Sequence, residues 1–219
     1  MTQPDPVEFA SLLCSRLCHD LLSPVGAMTN GLELLADETD PEMRERCLEL
    51  LGQSAKASAD KLKFFRLAFG AAGGFGDKVE MAEPRAAIEA LAGDAKRIEL
   101  RWALDVDTLP KPAVKAMLNL AHIALESLVR GGTLDIGAER NNGASEIVVR
   151  ATGPKIAFDD TIGQALQGDL APADLSGRTA PAWMIGMMAE NMGGSVQYHR
   201  SEDSLLLGAV IPEGEGMIG

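Results

Sequence analysis

His19 and Asp20 are adjacent, and Ser23 and Pro24 follow within about one helical turn, in the run Leu17-Cys18-His19-Asp20-Leu21-Leu22-Ser23-Pro24. Histidine is suited to carrying a group reversibly near neutral pH, because one ring nitrogen can be a nucleophile while the other is held by a partner. A neighbouring carboxylate can accept a hydrogen bond from that second nitrogen, which fixes the tautomer and raises the nucleophilicity of the first. Apolar residues recur around this run at Ala10, Cys14, Leu17, Leu21, Met28, Leu32 and Leu35, a helical stripe. His19 is two positions from both Leu17 and Leu21, so at ~100° per residue it lies about 200° from the stripe and is expected to face solvent. Pro24 deletes the helical bond to the Asp20 carbonyl, at a cost of about 3 kcal/mol, and predicts a kink at the histidine turn.

The elements that must position these residues are a pair of helices. Asp5 can cap the first, with Pro6 at its first position and Glu8 completing a capping box. Asp40-Pro41-Glu42 repeats the device, and Met43, Cys47, Leu50, Leu51, Ala55, Leu62 and Phe65 carry a second stripe that ends near Gly70. Two helices of about 30 residues, each roughly 45 Å long, joined by a short loop are antiparallel neighbours. A lone hairpin leaves part of its stripe wet, which predicts a four-helix bundle in a homodimer. The competing expectation is that the hairpin packs on its own C-terminal half.

Gly70-Ala71-Ala72-Gly73-Gly74-Phe75-Gly76 is a flexible break, dividing a hairpin over 1–72 from a second domain over 73–212. There the spacing predicts strands over 97–104, 134–138, 146–151, 195–199 and 205–211, and helices over 112–129 and 180–192. Asn141-Asn142-Gly143 is a hairpin turn signal. This order implies an α/β sandwich with helices on one face of a mixed sheet. The tail, taken as 213–219 with Pro212 at its edge, is expected to be disordered.

The 219 residues carry a net charge of −12, which argues against a nucleic-acid or anionic-membrane surface. No apolar run reaches the ~18 residues of a membrane span, and Met1-Thr2-Gln3-Pro4-Asp5 is unlike a signal peptide. The three cysteines are odd in number and lie in helical patterns, which fits reduced thiols in the cytoplasm. Cys14 and Cys18 read as small core residues, since no further ligand is spaced to complete a metal site. His122 reads as a core or subunit-contact residue and His199 as exposed.

The His-Asp box with Pro five residues on, followed by an α/β domain, resembles the histidine kinase core: a dimerising phosphoacceptor hairpin ahead of an ATPase domain. Leu22 stands where that pattern usually has a basic residue, and Ser23 replaces the usual Thr or Asn, a departure that bears on phosphatase activity. The ATPase motifs depart further. Asn119-Leu120-Ala121-His122-Ile123-Ala124 resembles the N box, but Ile123 replaces the metal-binding Asn, and aliphatic carbon cannot ligate Mg²⁺. Ala151 replaces the adenine-reading Asp of Ala151-Thr152-Gly153-Pro154-Lys155-Ile156, and Lys155 its second Gly. Gly177-Arg178-Thr179-Ala180-Pro181 falls where a phosphate loop belongs, yet Pro181 offers no N–H. These losses predict that ATP is not bound.

A kinase-like dimer with an intact histidine box and a ruined nucleotide site resembles the histidine phosphotransferases of the ChpT type. The resemblance implies that a receiver domain of a hybrid histidine kinase passes its aspartyl phosphate to His19, and that response regulators of the CtrA and CpdR kind then take it. The chain would bind no cofactor, Mg²⁺ being supplied by the partner receiver domain. His19 would be the carrier and Asp20 would orient its ring. Arg16 would offset phosphate charge or stand as a solvated charge. Leu22, Ser23, Gly26, Ala27 and Asn30 would meet the receiver, or Gly26 and Ala27 would only accommodate the partner helix within the bundle. Lys61, Lys63 and Arg66 would contact an acidic receiver or form a solvated face. An ATP-dependent kinase and a non-catalytic dimeric adaptor that docks receiver domains are the competing readings.

Overall fold

The computed structural model describes residues 4–70, 77–94 and 97–213. Helix α1 (Pro6–Asp37) and helix α2 (Pro41–Phe69) form the antiparallel hairpin. Both start as the sequence predicts: the Asp5 side chain accepts from the Val7 and Glu8 backbone N–H groups at 3.0 Å, and Asp40 accepts from Glu42 and Met43. Gly31 is buried against Leu51, whose Cδ2 would lie 3.1 Å from an added Cβ, so its missing side chain lets the two helices close.

The second half contains β1 (Lys78–Glu80), α3 (Ala82–Asp94), β2 (Ile98–Leu104), β3 (Thr108–Pro110) and α4 (Lys111–Ser127). It continues with β4 (Gly132–Asn141), β5 (Ala144–Thr152), α5 (Asp160–Gln167), a short 3₁₀ turn (Pro172–Asp174), α6 (Ala180–Asn191), β6 (Ser195–Arg200) and β7 (Ser204–Pro212). The five-stranded sheet has the order β2-β4-β5-β7-β6, with β2 and β4 parallel and the other pairs antiparallel. Strands β1 and β3 form a separate antiparallel pair. The β4–β5 hairpin closes at Asn142-Gly143, both with positive φ (49° and 76°), as a tight turn compatible with strand twist demands.

Helix α4 is buried on nearly every side, which is why its sequence is apolar almost throughout. It lies between the sheet, through β5 and β7, and the helices α2 and α6. The end of α2 enters the same core: Phe64, Phe65, Leu67 and Ala68 are buried with the side chains of α4. The hairpin therefore packs on its own C-terminal half at this end, while apolar side chains elsewhere on it stay exposed, among them Leu22, Val25, Leu32, Leu34, Leu50 and Leu62.

Several expectations need correction. Helices α3 and α5 and strands β1 and β3 were not apparent in the sequence pattern. Cys14 and Cys18 are exposed rather than core residues, and only Cys47 of the three is buried. The tail does not begin at 213: Pro212 closes β7, and Glu213 pairs with Arg140 at 2.6 Å while its N–H donates to the Gly143 carbonyl. The proposed break over 71–76 and the tail over 214–219 lie outside the described residues. No described helix is long and apolar enough to cross a membrane.

Candidate functional site

Helix α1 runs through Pro24 without interruption, and its exposed face carries His19, whose side chain is 84% exposed. The next residue is the first anchor of the site. Asp20 has a largely buried side chain, and its Oδ1 lies 3.1 Å from His19 Nδ1. An ionised carboxylate can only accept, so Nδ1 carries the ring proton and Nε2 is left with its lone pair. Burial by itself pushes the Asp20 carboxyl up, but the hydrogen bond from His19 and the charge and hydrogen bond of Arg16 outweigh it and hold it below the usual value. Asp20 is thus ionised wherever the chain works near neutral pH.

Arg16, one turn earlier, is buried. Its Nε donates to Asp20 Oδ2 at 2.6 Å, and its Nη2 donates to the Glu126 carboxylate of α4. Burial opposes the guanidinium charge, and the two carboxylates more than offset this, raising its pKa. The expectation of Arg16 as a solvated charge is therefore corrected, although Arg16 borders the same cleft as His19. A helix wheel for α1 cannot show that α4 covers this position.

Lys61 of α2 is also engaged. Its Nζ donates to the Asp20 backbone carbonyl at 2.8 Å, the acceptor that Pro24 deprives of its helical N–H. Lys63 lies 3.8 Å from Asp60, and Arg66 pairs with Glu83 of α3 at 2.8 Å.

Two clefts flank this part of α1. One, about 560 Å³, is lined by Ser15, Arg16 and His19, by Glu126, and by Gly177 and Arg178 of the turn before α6. Gly177 sits against α1, an added Cβ lying 3.3 Å from the Leu12 carbonyl oxygen and 3.4 Å from the Arg16 nitrogen. The other cleft, about 510 Å³, lies between Ser23, Pro24 and Ala27 of α1, Lys61 and its neighbours on α2, and Leu91, His122 and Glu126. Leu22, Ser23, Ala27 and Asn30 are exposed, and a Cβ on Gly26 would meet nothing within 4 Å. The structure so gathers His19, Asp20 and Arg16, and leaves the expected contact residues open on the same helix.

His122 is half-buried against the rings of Phe64 and Phe65, at 5.2 and 6.1 Å, and burial lowers its pKa. His199 is exposed, as expected. Ile123 and Ala151, at the N-box and adenine-reading positions, are buried in the apolar core. Among the described residues, no group of three His, Cys, Asp or Glu side chains is placed to hold a metal ion. Sequence reasoning missed Glu126. Its one signal was that it is the lone carboxylate of a mostly apolar helix.

The fold and the exposed, carboxylate-held histidine define a long helical hairpin, with the histidine on its first helix, joined to a mixed α/β domain. The sequence model of the family described as histidine phosphotransferase C-terminal domain matches residues 81–204, more than half of the chain, and the chain belongs to this family. Protein phosphotransferase ChpT of Brucella abortus (strain 2308) is 28% identical over 203 residues, covering 93% of this chain and 95% of that protein. A solved bacterial phosphotransferase superposes with a TM-score of 0.82 at 25% identity, over 95% of this chain and 98% of that one. The histidine kinase AdeS of Acinetobacter baumannii has a TM-score of 0.48 at 13% identity, over 90% of this chain and 98% of that one.

Proposed function

We propose that this chain is a phosphotransferase of a two-component phosphorelay. It accepts a phosphoryl group on His19 from the aspartyl phosphate of a receiver domain, as carried by a hybrid histidine kinase, and passes it to response regulators of the CtrA and CpdR kind. The observation that carries this reading is the exposed His19 ring with its Nδ1 held by Asp20. The Nε2 lone pair attacks phosphorus, the bond from phosphorus to the aspartyl oxygen breaks, and the carboxylate leaves with that electron pair. The Nδ1 proton stays with the ring, where Asp20 stabilises the positive charge that the phosphorylated imidazole acquires. The second transfer is the same step reversed onto another aspartate. Mg²⁺ belongs to the receiver in both steps, and the chain takes no ATP: apolar Ile123 and Ala151 at the nucleotide positions support this.

The exposed apolar side chains of the hairpin support a homodimer in which two hairpins form a four-helix bundle. The reduced state expected for the cysteines fits a cytoplasmic relay.

The test mixes a radiolabelled phospho-receiver domain with this protein and with His19→Ala, without ATP. Acid-labile, base-stable label is expected on the wild type alone. No label on either protein, with the receiver still bound, would replace the reading with that of a docking adaptor.

A further inference from the structure

We propose that Glu126 is a positioning residue for His19: by holding one prong of the Arg16 guanidinium it limits Arg16 to one oxygen of Asp20 and leaves the other for the imidazole. The inference rests on the reading of His19 as the phosphoryl carrier.

The two oxygens of Asp20 have separate partners. Oδ2 accepts from Arg16 Nε at 2.6 Å and Oδ1 faces His19 Nδ1 at 3.1 Å. An arginine and a carboxylate left to themselves favour a two-pronged pair, with two N–H groups on two oxygens. Such a pair would draw Oδ1 away from the histidine. It does not form here; Nη2 is instead turned to Glu126, which comes from another element 110 residues further along the chain. Arg16 has a side chain only 9% exposed, so the unsatisfied prong would have little water to turn to. Glu126 is 44% exposed and is the open end of the chain of contacts.

The placement also gives the C-terminal domain a part in the chemistry. Glu126 is the single carboxylate of α4, and it lines both clefts beside α1. It keeps Arg16 inside the protein, where that charge orients Asp20 and is not offered to the phosphoryl group. With Oδ1 available, Nδ1 keeps the proton and Nε2 is the nucleophile. Once Oδ1 is taken, a neutral imidazole reverts to the mixture of free histidine, in which Nε2 carries the proton in most molecules.

The test uses Glu126→Gln in the full chain, which keeps the shape and removes the charge. The ring nitrogens of His19 are read by NMR in mildly alkaline buffer on protein labelled with ¹⁵N-histidine, and assigned by loss of signal in His19→Gln. Wild type should show a protonated Nδ1 and a bare Nε2, and Glu126→Gln should shift toward protonated Nε2. Its initial rate of label transfer from the phospho-receiver should fall roughly ten-fold, equivalent to about 1.4 kcal/mol, with receiver affinity unchanged. A tautomer signal unchanged in Glu126→Gln overturns the inference even if transfer slows, because slowing alone would place Glu126 in the docking surface. Label accepted by His19→Ala would instead overturn the carrier reading, whatever Glu126 does.

Discussion

The contact between Lys61 and the Asp20 carbonyl permits a quantitative test of how the histidine turn is held. Pro24 removes the N–H that would bond to this carbonyl, and Lys61 Nζ takes its place at 2.8 Å from the neighbouring helix. Lys61→Met keeps the length of the side chain and removes the donor. Hydrogen bonds involving a charged group contribute about 1.5–3 kcal/mol. Lys61 and Asp20 are both half-buried, and Lys61 borders an open cleft. Water can therefore replace part of the bond, so the expected cost is at the low end, about 1–1.5 kcal/mol. Pro24→Ala restores the N–H and makes the lysine redundant. In that background Lys61→Met should cost no more than about 0.5 kcal/mol, leaving a coupling energy near 1 kcal/mol. The assay is urea unfolding followed by far-UV circular dichroism on the four proteins, at one protomer concentration because the proposed dimer would contribute to stability. Costs for the two substitutions that add within about 0.5 kcal/mol would refute the claim that Lys61 replaces the bond lost at Pro24.

Two further outcomes are expected. Burial holds His122 neutral, so below its ordinary value of 6.5 the unfolded chain binds a proton that the folded chain does not. Stability at this residue is complete above that pH and falls as pH drops through it, by up to about 1.4 kcal/mol per unit; His122→Phe, measured by urea unfolding from pH 7 to 5, should flatten the slope, and an unchanged slope would show that His122 is protonated in the fold. Leu50 is 58% exposed on the hairpin, so Leu50→Asp should leave the protomer folded and turn a dimer into a monomer in sedimentation analysis. A dimer that survives both Leu50→Asp and Leu32→Asp would remove this face from the proposed bundle.

The parts of the fold that were legible in the sequence are those decided by neighbours in the chain. The caps at Asp5 and Asp40, the Asn142-Gly143 turn, the alternation of Ile98, Leu100 and Trp102, and the exposure of His19 all follow from local geometry. Asp20 was assigned to the imidazole for the same reason, being adjacent to it. What was missed depends on contacts across long separations. Arg16 lies on a polar face of α1 when that helix is drawn alone, and it is buried because α4 arrives 110 residues later. Lys61 reads as one of several surface charges until α2 is laid against the turn broken by Pro24. The short helix α5 did carry local signals, an Asp159 cap and a left-handed Gly168 at φ 77°, but eight residues give little room for periodicity to show.

Helix α4 shows how one helix can fill a core and also hold the hairpin that carries the candidate histidine. Its apolar positions, with Ile123 among them, are packed into the domain, and Ala151 of β5 is buried in the same core. Asn119, His122 and Glu126 recur at steps of three and four, so they share one face of the helix. That face is turned to the hairpin: Asn119 donates to the Ala68 carbonyl of α2, at 3.4 Å, His122 meets the Phe64 and Phe65 rings, and Glu126 accepts from Arg16 of α1. Each of these three residues therefore bonds or packs against the hairpin, Asn119 and His122 against α2 and Glu126 against α1, the helix that bears the histidine. A helix used in this way must keep its orientation toward the stem, and its apolar positions fix that orientation by packing into the core. The face of α4 that meets the hairpin is thus separate from the faces that fill the core, so the helix can hold the stem without giving up apolar burial.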